Sequence, residues 1–353
     1  MNRTITYTQA LLEELDQSLS EDPNVYIMGL GVPDPKGIFG TTLGLQEKYG
    51  SSRVMDMPTS ENGMTGMAIG SALMGMKPII THQRVDFFLL AYDQLVNNAA
   101  KWHYMFNGQM NVPLVIRLIV GRGWGQGPQH SQNLHASFAH FPGLKVVMPT
   151  TAYDAKGLLR SSILDPNPVL FIEHRWLHSL VDYVPEESYE VPIGKAKVAR
   201  VGKDLTIVAS GHMTVEALKA AGELKKSQIE AEVIDLRTIK PLDIDTILNS
   251  VKKTGHLLVA DESWKTLGLA SEIITLVVEK GYNFLKKGPV RVTLPDCYAP
   301  TSWALTNHYY PGKEEIIGES LNLLKHPNMI GNFLERNKKI PLDIPDKSFT
   351  GPF

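Results

Sequence analysis

Residues 53–83 read RVMDMPTSENGMTGMAIGSALMGMKPIITHQ. Two short apolar runs, RVMDMPT (53–59) and KPIITHQ (77–83), bracket a stretch rich in glycine, methionine and alanine. Runs that are continuously apolar, rather than alternating, suit strands covered on both faces. A strand, a buried helix and a second strand in this order imply the repeating unit of a doubly wound parallel sheet. Glu61 is the only carboxylate between Asp56 and Asp86, and it directly follows the first strand. Thr59 and Ser60 are candidate N-caps, and the helix dipole favours a carboxylate in the first turn. Capping is therefore the ordinary reading of Glu61. In doubly wound sheets, however, ligands sit beyond the carboxyl ends of the strands, and Glu61 falls there.

The same pattern extends in both directions. VYIMGLG (25–31), PLVIRLIVG (113–121), LKVVMPT (144–150) and PVLFIEH (168–174) read as further strands, with helices expected at 91–105 and 152–163. A polar connector with paired glutamates covers 179–200. Strands are then expected at 204–211, 229–238, 256–262 and 290–296, with helices at 213–226 and 271–280. The expected organisation is α/β with two doubly wound domains: 1–185, a linker at 186–199, and a smaller domain at 200–326. Residues 327–353 turn polar and proline-containing and are expected to form a mobile tail.

Bulk properties narrow the function classes. A chain of 353 residues is long for one core. Hydrophobic residues make up 43% and charged residues 20%, and the net charge is -2 without a long basic run, so nucleic acid and anionic membranes are not expected partners. Cys297 is the only cysteine, which rules out an internal disulfide and disfavours a thiolate metal site. The start of the chain lacks the apolar core of a signal peptide, and no run approaches a membrane span of roughly 20 residues, so a cytoplasmic protein is expected.

Three features bear on chemistry. Gly63, Gly66 and Gly70 share one helical face beside Met64, Met67 and Met74. Each glycine costs a helix about 1 kcal/mol relative to alanine, so three on one face imply close approach of another backbone, within the domain or across a subunit contact. GRGWGQGPQHSQ (121–132) is an irregular loop after a strand, able to present amides to an anion, with His130 opening a helix through Phe138. His130, His135 and His140 recur every five residues, do not share a helical face, and argue against a metal site. Finally, no glycine in the chain is followed by aspartate, so the Gly-Asp-Gly opening of one diphosphate–magnesium site is missing.

PTSENG (58–63), AYDQLVNNAAK (91–101), QHSQ (129–132), HFPGLKVVMPT (140–150), DPNPV (165–169), VIDLRTIKPLD (233–243) and SVKKTGHLLVADE (250–262) occur in family order. In these motifs the chain resembles the beta subunit of thiamin-diphosphate-dependent 2-oxo acid dehydrogenases, across residues 1 to about 325. The resemblance implies a pyrimidine-binding domain followed by a transketolase C-terminal-type domain. It implies that Glu61 contacts the ring nitrogen of the cofactor's aminopyrimidine, that Phe87 stacks on that ring, and that Thr59 and Gln83 join them in binding thiamin diphosphate. His130 matches the active-site histidine near the substrate. A potassium ion held by backbone carbonyls is implied at Leu114, Ser162, Ile163, Asp165 and Asn167. The missing Gly-Asp-Gly then has an explanation: an alpha subunit holds the diphosphate and Mg2+, in an α2β2 heterotetramer that can feed a lipoyl acyltransferase core. The implied reaction is decarboxylation of a 2-oxo acid with transfer of the acyl group to lipoamide.

The chain departs from the family pattern at Leu305-Thr306 ahead of Pro311, in TLGLASE (266–272), and in the bulky Trp124 and Trp303. These departures keep a second enzymatic reading open, a two-chain transketolase-like synthase with an aldehyde or ketone acceptor. A non-catalytic α/β subunit is the third; the retention of Glu61, Phe87 and His130 argues against it.

Overall fold

The chain enters its first helix through a reciprocal cap. The Thr6 hydroxyl accepts from the Gln9 N–H at 3.1 Å while the Gln9 side chain accepts from the Thr6 N–H at 2.9 Å. β1 (Thr4–Thr6) thus leads into α1 (Tyr7–Glu21), followed by β2 (Val25–Met28), α2 (Leu45–Tyr49), β3 (Val54–Met55), α3 (Glu61–Leu73), β4 (Lys77–His82), α4 (Val85–Phe88), α5 (Ala100–Met105), β5 (Val115–Val120), α6 (His135–His140), β6 (Lys145–Val147), α7 (Ala152–Leu164), β7 (Val169–His174) and β8 (Val181–Tyr183). The computed structural model describes residues 3–123, 125–332 and 342–345. They divide into one unit comprising the chain up to Gly121 with Ser137–Ile193, and another comprising Arg122–Ala136 and the residues from Gly194 on.

In the first unit six strands pair in the order β6-β7-β5-β4-β2-β3, all parallel. β1 and β8 form a separate antiparallel pair. β2, β5 and β7 are buried along their whole length, as their continuous apolarity implies. Two charges sit inside those apolar runs and satisfy each other. Arg117 Nε donates to Glu173 Oε1 at 2.6 Å, and Arg117 Nη2 donates to Thr41 Oγ1 at 3.0 Å. Burial alone would raise Glu173, but the Arg117 charge and the bond to His178 outweigh it and leave the carboxyl below its ordinary range.

Two helix expectations change. The segment expected as one helix at 91–105 is a 3-10 turn (Leu89–Ala91), a π-helix (Gln94–Ala99) and then α5. The widened turn buries Leu95, Val96 and Ala99 where the segment meets α3, with Gln94 beside Gly66. Nor is α3 buried all round. Thr65, Ala68, Ile69 and Ala72 face inward, whereas Gly63 and Gly70 are exposed and Met67 is 66% exposed. None of the described residues lies within 4 Å of where a Cβ on Gly70 would stand, so none of them explains that glycine.

The second unit contains β9 (Lys197–Arg200), β10 (Leu205–Ala209), α8 (His212–Lys226), β11 (Ala231–Asp235), β12 (Thr238–Lys240), α9 (Ile244–Thr254), β13 (Leu257–Trp264), α10 (Leu269–Gly281), β14 (Val290–Leu294), α11 (Trp303–Tyr309) and α12 (Lys313–Leu323). Its sheet runs β14-β13-β10-β11-β9, with β9 alone antiparallel. β8 and β9 both fall inside the expected polar connector, because half-exposed edge strands carry no apolar signature. The start of the expected tail is ordered. Residues 327–332 form a 3-10 helix, and Met329 and Ile330 pack on the core of the second unit. Most of the remaining tail, and Trp124, lie outside the described residues.

Candidate active site

β2, β3 and β4 are in register, Met28 lying opposite Met55 on one side and Ile80 on the other. Their carboxyl ends therefore deliver Gly29–Gly31, Asp56 and Gln83 to one edge of the first unit's sheet. Asp56 organises this edge: its Oδ1 accepts from the N–H groups of Gly31 and Met57, both at 2.9 Å. Gln83 Nε2 donates to the Leu30 carbonyl at 3.0 Å. Gln83 also lines a cavity of about 460 Å³ together with Asp34, Lys36 and Phe39.

Glu61 is the first residue of α3 and lies on its inward stripe with Thr65, Ala68 and Ala72. It is 7% exposed, and its carboxylate makes no hydrogen bond or ion pair among the described residues. The expected side-chain cap is absent: Ser60 takes the N-cap position without a side-chain bond, and Thr59 is exposed. The Ser60 backbone (φ -147°, ψ 66°), neither helical nor extended, turns the chain so that the first inward position falls on Glu61. A nearly buried, unpaired carboxylate is costly and calls for a ligand. Phe87, in α4, is 43% exposed beyond the same strand end.

One nearby residue escaped the sequence reading. His82 ends β4, is 5% exposed and packs tilted against the Phe88 ring at 4.9 Å between centroids, and its Nε2 has no hydrogen-bond partner among the described residues. Burial pushes its pKa down to about 4, so the ring is neutral near pH 7. The only sequence signal is a polar THQ closing an apolar strand.

His130 belongs to the second unit. It does not open a helix, because α6 starts only at His135 and residues 131–134 are irregular. Ser131 and Asn133 are weak helix formers that favour local turns, and the 130 amide closes a turn onto Gly127 O at 3.4 Å. The glycines let the loop lie against Thr301: a Cβ on Gly127 would stand 2.7 Å from Thr301 Oγ1. Pro128 and Gln129 are exposed and His130 is half-buried, so the histidine stands near the tip. The three histidines part company: His135 is buried against Asp261 and His140 is exposed.

Leu114, Ser162, Ile163, Asp165 and Asn167 gather where α7 turns into β7 beside the start of β5. Two of these carbonyls are already engaged, Leu114 O by the Val169 N–H at 3.0 Å and Ser162 O by the Asp165 N–H at 3.4 Å. The Lys145 ammonium pairs with the Asp165 carboxylate, and the Asn167 N–H donates to its other oxygen at 2.9 Å.

Residues 3–179 match the pyrimidine-binding domain of transketolase, and residues 194–316 match the transketolase C-terminal domain. The chain is 42% identical to the beta subunit of acetoin:2,6-dichlorophenolindophenol oxidoreductase from Cupriavidus necator, covering 92% of this chain and 99% of that one. It is 43% identical to the pyruvate dehydrogenase E1 component subunit beta of Acholeplasma laidlawii, covering 91% and 98%. The chain belongs to the beta subunits of the thiamin-diphosphate-dependent 2-oxo acid dehydrogenase family. As a beta subunit it is one part of an enzyme, with an alpha subunit as partner and thiamin diphosphate as cofactor. Among solved structures, one titled "Split gene transketolase, inactive beta4 tetramer" superposes with a TM-score of 0.75 over 92% of this chain and 99% of that chain, at 21% identity, and shows the shared fold alone. No helix among the described residues is long and apolar enough to cross a membrane.

Proposed function

We propose that this beta subunit decarboxylates a small 2-oxo acid and passes the acyl group to lipoamide, in an α2β2 heterotetramer. The observation that carries the reading is Glu61, a nearly buried carboxylate without a partner among the described residues, at the first turn of α3 and beyond the strand ends. Protonated, its O–H can donate to a ring nitrogen of an aminopyrimidine; once that proton is transferred, the carboxylate accepts from the ring N–H. Phe87 offers a flat face for that ring, and Thr59 and Gln83 line its approach. Thiamin diphosphate, when bound, supplies the electron sink that lets the bond beside a carbonyl break. His130, near the tip of its loop, gives or takes the proton at the substrate oxygen.

The diphosphate and Mg2+ fall to the alpha subunit, since this chain has no Gly-Asp-Gly. The exposed Gly63, Met67 and Gly70 face of α3 supports its use as a subunit contact. Docking of the tetramer to a lipoyl acyltransferase core, and a cytoplasmic location, belong to the same proposal. A potassium ion at the α7–β7 turn would rest on the carbonyls of Ile163, Asp165 and Asn167 together with the two already engaged. A melting temperature that rises in KCl over LiCl, and loses the difference in Asp165→Ala, tests it.

The Cupriavidus necator relative favours one alternative substrate class, a 2-hydroxyketone cleaved to the same acyl level. Co-expression with the alpha partner, followed by assay with thiamin diphosphate, Mg2+, lipoamide and either pyruvate or acetoin, separates the two. Turnover of pyruvate with acylation of lipoamide supports the main reading, and turnover of acetoin alone supports the second. Glu61→Gln should lower kcat by about 10²–10⁴-fold in either case. An unchanged kcat in that variant would remove Glu61 from the chemistry.

A further inference from the structure

The loop that carries His130 is held by buried carboxylates on both sides. On its amino-terminal side the Arg122 guanidinium lies 3.3 Å from Glu262 Oε1, donates to the Pro311 carbonyl at 3.4 Å and stands 4.5 Å over the Tyr310 ring. The Gly125 N–H donates to Asp343 Oδ2 at 3.0 Å. On the carboxyl-terminal side His135 Nε2 lies 2.8 Å from Asp261 Oδ1, while Ser263 Oγ donates to the other oxygen at 2.5 Å. Arg122, His135, Asp261, Glu262 and Asp343 are all buried. Asp261 and Glu262 are neighbours near the end of β13, so one strand end grips the loop at two separated points.

Stability does not account for this arrangement. Buried ion pairs repay little more than their own desolvation, and apolar packing of the same volume would serve stability as well. The charge-assisted His135–Asp261 hydrogen bond does supply short, directional fixation, and the Arg122–Glu262 ion pair adds charge attraction at the other end. Burial would raise Asp261, but the His135 charge and bond outweigh it and hold the carboxyl below its ordinary range. The His135 imidazole is thereby tied to one orientation. Between the two anchors Pro128 and Gln129 are exposed and His130 is half-buried, while Gly127, Ser131, Asn133 and Leu134 are buried.

We infer that Asp261 and Glu262 are positioning residues for the reaction: through His135 and Arg122 they clamp the loop and present His130 in a single orientation. This rests on His130 handling a proton, as proposed above. Its substrate-facing geometry is then set by residues that never touch substrate.

The test uses the chain assembled with its alpha subunit, thiamin diphosphate and Mg2+, assayed with pyruvate or acetoin, whichever it turns over, and an artificial electron acceptor. His135→Ala and Glu262→Gln should each lower kcat by about 10–100-fold, because a misplacement of about 1 Å at a catalytic group costs on that order. KM and cofactor affinity should stay within about threefold if only positioning is lost. In a His130→Ala background the same changes should alter kcat less than about threefold, since the group they position is gone. His135→Gln, whose side-chain N–H can still donate to Asp261, should recover most of the lost kcat. Equal losses with and without His130, or a lowered melting temperature with unchanged kcat, overturn the inference while leaving the proposed function intact. An unchanged kcat in His130→Ala removes the proposed role of His130 and the inference with it.

Discussion

Replacing Glu14 by glutamine should abolish a pH-dependent loss of stability in the first unit. Glu14 is fully buried on α1, which packs along α7. Its Oε1 accepts from Ser18 Oγ at 2.8 Å, while its Oε2 has no hydrogen-bond partner among the described residues. Two cations are near, but both are committed elsewhere. Arg160 approaches only to 3.8 Å and binds Glu21 at 2.8 Å, and Lys156 is taken by Glu13 and the carbonyls of Pro185, Glu186 and Glu187. Burial therefore dominates and raises the Glu14 pKa from 4.5 to about 7. For a carboxyl raised on folding, the stabilisation is complete below the unfolded value and is lost as pH rises through the folded one. At about 1.4 kcal/mol per pH unit, the interval from 4.5 to about 7 corresponds to about 3 kcal/mol. Urea unfolding of the wild type and Glu14→Gln, in matched buffers from about pH 4 to pH 8.5, cancels every other titrating group. The variant should gain about 3 kcal/mol relative to wild type across that window. A difference that stays constant with pH would refute the argument.

Glu173→Gln leaves the Arg117 guanidinium buried without its counter-charge and should cost about 3–5 kcal/mol in urea unfolding, whereas Arg117→Met with Glu173→Leu should recover most of it. Gly143 has φ 86°, and a Cβ there would stand 1.9 Å from the Ala100 carbonyl oxygen, so Gly143→Ala should lose about 3 kcal/mol or more in thermal unfolding. The isolated chain should bind thiamin diphosphate at least about 100-fold more weakly than the assembled enzyme in calorimetry, because the diphosphate site belongs to the alpha subunit; tight binding by the chain alone would contradict the split site.

The sequence determined the sheet-forming runs of both units and the place of Glu61. Continuous apolarity marks strands covered on both faces, and VIRLIV and VLFIEH carry that mark despite Arg117 and Glu173. The length of each run fixes it as a strand rather than a helix, and the residue after a strand is fixed with it. What a single sequence could not supply was the partner of any group that needs a distant one. Arg117 and Glu173 neutralise each other across adjacent strands, and His135 meets Asp261 across a sequence separation of 126. Periodicity records the local face of an element and says nothing of what covers it. The glycines of α3 therefore read as close packing, yet among the described residues nothing stands against Gly70. The His130 loop shows the same limit. Its residues announced an irregular, glycine-rich turn, but the start of α6 at His135, and the hold on the loop by Asp261, Glu262 and Asp343, came only from the folded second unit. Charge and hydrogen bonding act over a few ångströms in space, and only the tertiary structure decides which residues stand that close.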